Sequence, residues 1–272
     1  MTTRSGISLA IAITTVGCTI DADTATSTTS QEVDVLPPQP DKLELWLDGE
    51  RGVGLSSTGQ VIWWEDQSGH GRIMARGNPT YDNVQLAKFP HSDRHGIQFT
   101  PADLNAGYLV NGDVVLKQPF TVAMMIYPTE MPPPFHHDWY VPFTGITAPT
   151  VTITQRVETN FQPGNTGEDN MFAATGGSGP TFSYVPVPHS WTSGAHVVIA
   201  VFNGPYSQLR VDDVVRRGAL TTSMLTGVVL SNAGRPFSGY IGEVLIYKGA
   251  FDRWFAEPEL AGWLHDRFLG AQ

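Results

Sequence analysis

Residues 43–72 read LELWLDGERGVGLSSTGQVIWWEDQSGHGR, and the fold class follows from how that stretch divides. Leu43, Leu45 and Leu47 alternate with Glu44 and Trp46, the period of a strand that turns its leucines toward a core. Residues 60–64, QVIWW, make a second expected strand. Asp66-Gln67-Ser68-Gly69-His70-Gly71 is a turn whose glycines accept positive φ.

The same grammar runs downstream. Short apolar runs bounded by Gly, Pro, Asn and Asp are expected strands at residues 96–100, 120–127, 151–157, 171–174, 181–185, 196–202, 206–211, 214–217, 225–230 and 240–247. FTVAMMIY at 120–127 is apolar almost throughout, as a central strand buried on both faces would be. Asp212-Asp213 is the expected turn of a hairpin. Only residues 257–268 show helical spacing, through Leu260, Trp263, Leu264 and Phe268, with Pro258 in the permitted first turn and Gly270 past the end. The pattern predicts an all-β sandwich or barrel with one short C-terminal helix.

Composition agrees. The 272 residues include 28 Gly and 20 Pro and are only 15% charged, which suits many short strands joined by tight turns. The formal charge is −10 and no basic block occurs, so nucleic acid and anionic membrane surfaces are not expected partners. Cys18, the one cysteine, ends MTTRSGISLAIAITTVGC, with Arg4 near the start and an apolar run from Ile7 to Val16. Residues 1–17 are therefore expected to be a bacterial export signal and Cys18 a lipidation site, with Thr15 where a lipoprotein signal usually has Leu. Residues 18–41, rich in Thr, Ser, Asp and Pro, are an expected disordered tether, leaving one folded domain at 42–272. A lipid anchor at Cys18 would hold the domain to the membrane of the cell envelope; the alternative is an ordinary cleaved signal with a chance cysteine, which would leave the domain secreted.

Several of these stretches together resemble the concanavalin A-like lectin and glucanase superfamily, in its bacterial laminin-G-like branch. LELWLDGERGV with QVIWWEDQSGHGR is similar to the branch's opening, FTVAMMIYP to its central strand, and HVVIAVFNGPYSQLRVDDVVRRG to its long hairpin. SGYIGEVLIYKGAFD, with the helix after it, is similar to the closing strand. The resemblance spans residues 43–270, with departures at Asp213, where the family has Gly, and at Lys248, Gly249 and Phe251. It implies a jelly-roll sandwich of two antiparallel sheets that serves as a binding or adhesion module in exported proteins. Some relatives hold calcium at the sandwich rim.

Candidate sites divide by chemistry. Glucanases of the superfamily carry acids two and four residues apart on one strand, E-x-D-x-x-E or E-x-D-x-E, because alternation aims them into one cleft. No such string occurs here: Glu65 and Asp66 are adjacent and Glu243 stands among apolar neighbours. Asp66 reads as an acceptor for the amides of the turn it opens, and Glu243 as a hydrogen-bonded core residue. No catalytic residue is expected, and no Ser sits in a nucleophile-elbow context.

The clusters His91 to His95 and His136-His137-Asp138 lie in Pro- or turn-rich segments without a third spaced ligand, so no zinc site is expected. Calcium, which accepts loop carboxylates and carbonyls, could draw on Asp103, Asn111 and Asp113, read as lying in adjacent loops. The most unusual loop is 128–143, PTEMPPPFHHDWYVPF. Its prolines stiffen it while His136, His137, Trp139 and Tyr140 offer ring faces for stacking on sugars, with Asp138 as acceptor; the competing reading has Trp139 and Phe143 capping the core. Residues 164–179, polar and Gly-rich, read as a second rim loop.

The expected function is a non-catalytic extracytoplasmic binding or adhesion module for a glycan or protein partner. The alternatives are a glycan hydrolase or lyase with an unfamiliar active centre, and a structural envelope component that assembles with itself.

Overall fold

The computed structural model describes residues 35–77, 83–101, 107–129, 140–146, 155–161, 171–177, 183–188, 194–231, 236–252 and 256–270. The expected export segment, Cys18 and most of the expected tether lie outside them. The elements, in chain order, are β1 (Leu43–Asp48), β2 (Val53–Leu55), β3 (Val61–Glu65), β4 (Ile73–Arg76), β5 (Val84–Lys88) and β6 (His95–Phe99). They continue with β7 (Leu109–Leu116), β8 (Phe120–Pro128), β9 (Tyr140–Thr144), β10 (Gln155–Phe161), β11 (Met171–Gly176) and β12 (Ser183–Pro188). The last are β13 (His196–Phe202), β14 (Ser207–Val211), β15 (Val214–Gly218), β16 (Leu225–Leu230), β17 (Gly239–Lys248) and the helix α1 (Ala256–Leu269).

These strands make an all-β sandwich of two antiparallel sheets. One runs β15-β14-β13-β8-β17-β6-β5, with β1 also paired to β17; the other runs β12-β11-β10-β9-β16-β7-β4-β3-β2. β8 lies between β13 and β17, and its nine residues explain why a strand can be apolar throughout. Phe120, Val122, Met124 and Ile126 enter the core between the sheets, while Ala123 and Met125 enter a second core on the sheet's outer face. That outer face is covered by α1, whose Leu260, Leu264 and Phe268 are buried against it. Each such side chain contributes roughly 2 kcal/mol on leaving water.

β17 joins the two cores. Its first residues pair with β6, its later residues with β1, and a register shift falls between Ile241 and Glu243. Gly242 sits at that shift and admits the helix: a Cβ there would stand 2.4 Å from the Phe268 ring. The Phe268 ring in turn lies 4.9 Å, centroid to centroid, from Phe89.

Several expectations change. β1 is buried on both faces. Leu45 and Leu47 face the inter-sheet core as the alternation indicates, but Trp46 joins the core under the helix, and a bulge after Leu43 puts Leu43 with it. The 128–143 segment is not loop to its end, since Tyr140–Thr144 is strand β9, paired with β10 and β16. Met171–Gly176 is strand β11, as expected for 171–174, so the rim loop read at 164–179 is interrupted by a strand. Asn111 and Asp113 belong to strand β7 rather than to loops.

Candidate functional site

Of the expected binding residues, His136, His137, Asp138 and Trp139 lie outside the described residues. Tyr140 begins β9 and is 2% exposed, and Phe143 is fully buried, both in the inter-sheet core. The capping role considered for Phe143 therefore matches its placement. Asn111 turns its amide to the backbone: Oδ1 accepts from Asp113 N at 2.9 Å and Val114 N at 3.2 Å, and Nδ2 donates to the Ile73 carbonyl at 3.0 Å. Its side-chain oxygen holds β7 through an irregular step, which leaves it poorly disposed to serve calcium. Asp103 lies outside the described residues. Among the described residues no three His, Cys, Asp or Glu side chains come together to hold a metal ion.

The acids of the opening motif act on the fold. Asp66 Oδ1 accepts from Ser68 N at 2.8 Å and, across the strands, from Trp46 N at 2.9 Å; Oδ2 accepts from the Ser68 hydroxyl at 2.8 Å. This is the turn-fixing role read from the sequence, extended to a cross-strand bond. Asp48 and Glu243 are register partners at the β17 irregularity, and both are fully buried. Asp48 accepts from Arg94 Nη2 and Arg267 Nη2, each at 3.0 Å. Glu243 accepts from Trp46 Nε1 at 2.6 Å and Arg267 Nε at 3.0 Å. Burial pushes the Glu243 carboxyl up to about 7, the nearby Asp48 charge adds to that rise, and Arg267 and the Trp46 indole oppose it. The arrangement cross-links β1, β17 and α1 through charge, and with no exposed carboxylate it offers nothing to a substrate.

The accessible chemistry lies elsewhere, at the end of the first sheet where β13 turns into β14. There FNGPYS makes a 3-10 turn at Gly204–Tyr206. Gly204 has φ +53°, a left-handed conformation that favours glycine. The turn is fixed by side chains: Gln118 Oε1 accepts from Gly204 N at 2.6 Å, and Gln118 Nε2 donates to the Thr221 and Ser223 carbonyls at 2.7 and 3.0 Å. The Ser207 hydroxyl donates to the Gly204 carbonyl at 2.8 Å and accepts from Asn203 N at 2.9 Å.

On this rigid turn Tyr206 is 79% exposed. It stands between two clefts that share Asn203, Pro205 and Tyr206 as walls. One, of about 520 Å³, adds Gln208, Arg217, Phe251 and Asp252; the other, of about 500 Å³, adds Lys117, Gln118, Thr222 and Met224. Asn203 lines both clefts, and its side-chain amide has no hydrogen-bond partner among the described residues. Gln208 is held by Glu257 of α1, which also binds Arg210, and Gln208 Oε1 accepts from Arg217 Nε at 3.3 Å. Burial pushes the Glu257 carboxyl up against the pull of Arg210. An exposed ring beside amide and guanidinium planes is a surface for flat, hydroxyl-rich ligands. The sequence pattern makes Tyr206 the first residue of a strand. The opposing signal is the Gly-Pro pair, which marks a tight turn and places the next side chain outside the ladder.

The chain is similar to domain 4 of AbnA. That domain belongs to a GH43 extracellular arabinanase from Geobacillus stearothermophilus and was solved in complex with arabinotriose; the match has TM-score 0.54 and 14% identity and covers 82% of this chain and 98% of that one. A Trypanosoma rangeli sialidase in complex with sialic acid matches at TM-score 0.53 and 14% identity over 85% of this chain, which spans only 34% of the sialidase. The binding domain of Paraclostridial Mosquitocidal Protein 1 matches at TM-score 0.51 and 11% identity, over 84% of this chain and 52% of that one. At these identities the likeness is one of fold. No protein-family model and no curated protein matches the chain.

Proposed function

We propose that this protein is a non-catalytic glycan-binding module of the laminin-G-like kind, exported and held at the cell envelope by a lipid on Cys18. The observation that carries the reading is Tyr206, a 79% exposed ring on a turn pinned by Gln118 and Ser207, between two clefts with polar walls. Rings held in this way stack on the apolar faces of sugars with little ordering cost, while Asn203 and Arg217 supply planar donors for ring hydroxyls. The arabinotriose held by the AbnA domain supports a glycan as the ligand class. The full burial of Asp48 and Glu243 supports a module without turnover. His136, His137, Asp138 and Trp139, which lie outside the described residues, are proposed from the sequence as a further contact region.

A glycan array probed with the wild type and with Tyr206→Ala tests this. The wild type is expected to bind a defined set of glycans without cleaving them. Tyr206→Ala should weaken that binding about tenfold or more, the loss of a stack of roughly 1.5 kcal/mol. Release of shortened oligosaccharides by the wild type, or full binding by the variant, would remove the reading.

A further inference from the structure

The distribution of cations deepens the proposed glycan site and rests on that reading. Most described basic side chains are already committed to acids. Arg72 and Lys248 pair with Glu44, Arg51, Arg94 and Arg267 with Asp48, Arg210 with Glu257, and Lys88 with Asp93. Two that have no carboxylate within ion-pair distance among the described residues flank Tyr206. They are Arg217 in one cleft and Lys117 in the other. The protein as a whole carries −10, yet the described lining residues of these two clefts include both cations and a single carboxylate, Asp252; the buried Glu257 behind Gln208 also feels the Arg217 charge but is turned away from the clefts' lining. Charges beyond about 8 Å are screened at physiological ionic strength, so the local balance decides what the clefts attract.

Arg217 is also posed for a particular ligand geometry. Its Nε donates to Gln208 Oε1 at 3.3 Å, and Gln208 is itself held by Glu257. That bond orients the guanidinium plane and leaves Nη1 and Nη2, the end of the fork, for a ligand. A pair of parallel N–H donors matches the two oxygens of an oxyanion, a geometry that a lysine cannot offer.

The geometry points to an acidic sugar as the ligand of this site: a glycan whose ring stacks on Tyr206 and whose oxyanion, a carboxylate or a sulfate ester, is seated on Arg217. Lys117 draws the neighbouring part of the same chain into the second cleft. Neutral sugars of the same backbone stack on Tyr206 but leave the fork unused.

The test is isothermal titration of the full chain with three short oligosaccharides: a neutral hexose oligomer, a hexuronate oligomer and a sulfated hexose oligomer. The wild type should bind at least one acidic oligomer about tenfold more tightly than the neutral one. The carboxylated and sulfated arms identify which oxyanion is preferred. Arg217→Gln should reduce the acidic oligomer to the neutral level, Lys117→Gln should weaken it less, and added salt should shrink the preference. Arg217 is exposed, so its variant is expected to fold, and circular dichroism verifies that. Equal affinity for neutral and acidic oligomers, or an acidic preference that survives Arg217→Gln, overturns the acidic-sugar assignment. If Tyr206→Ala still abolishes that unselective binding, the glycan-binding reading stands. Absence of binding to all three oligomers by the wild type overturns both.

Discussion

Arg267→Ala is the sharpest perturbation of the architecture, because one side chain bonds both buried carboxylates. It donates from Nε to Glu243 and from Nη2 to Asp48, each at 3.0 Å, and lies 4.6 Å from the centroid of the Trp263 ring. Without it Asp48 keeps Arg94, while Glu243 keeps, among the described residues, only the Trp46 indole. Stripping one partner from a buried ion pair costs about 3–5 kcal/mol. The cost must also depend on pH. Burial raises the folded Glu243 carboxyl from 4.5 to about 7, so its contribution to stability is complete below about 4.5 and is lost as pH rises through about 7. Removing Arg267, which pulls that value down, carries the loss further up, at about 1.4 kcal/mol for each added unit. Urea unfolding across a pH series reads this directly. The deficit of Arg267→Ala should be smallest near pH ~5 and grow above pH ~7. The apolar pair Glu243→Leu with Arg267→Met should recover most of it. A deficit below about 1 kcal/mol above neutral pH, or one that does not vary with pH, would refute the electrostatic account of this cluster.

Three further outcomes follow from single side chains. The Tyr247 hydroxyl is buried without a hydrogen-bond partner among the described residues, so Tyr247→Phe should stabilise the fold by about 1 kcal/mol in urea unfolding, and a loss of stability would reveal a partner outside them. Asp66→Ala orphans the buried Trp46 N–H and frees the turn at Ser68; it should cost about 2 kcal/mol, and a neutral result would deny Asp66 its role in the fold. Cys18→Ser should convert an acylated, membrane-bound native protein into an unmodified form by mass spectrometry, whereas an unmodified wild type would contradict the anchor.

The fold was legible where the physics is local. The bounds of β13 and β16 follow from apolar runs closed by polar or Gly residues, and FTVAMMIY announced the strand covered on both faces. What stayed hidden depended on distant partners. Asn111 and Asp113 read as loop residues, but the Asn111 amide bonds the backbone at the irregular step and lets β7 run on. YVPF reads as the end of the Pro-stiffened loop at 128–143, yet Pro142 sits in β9 with its carbonyl accepting from Ser231 N at 3.2 Å. Alternation assigned Trp46 away from the core because a second core under α1 has no signature in β1 alone. The same holds for sites. The aromatic loop stands out by composition, whereas Tyr206 is one ring in an ordinary hairpin, and its exposure depends on Gln118, itself held by the Thr221 carbonyl, reaching the turn from far along the chain.

Fluorine NMR of protein carrying fluorotyrosine tests the central claim most directly, with the Tyr206 resonance assigned through Tyr206→Phe. On titration with a glycan selected by the array, the Tyr206 signal should move in a saturable way while that of Tyr140, 2% exposed in the core, stays in place. Saturable glycan binding that leaves the Tyr206 signal unmoved would contradict the account.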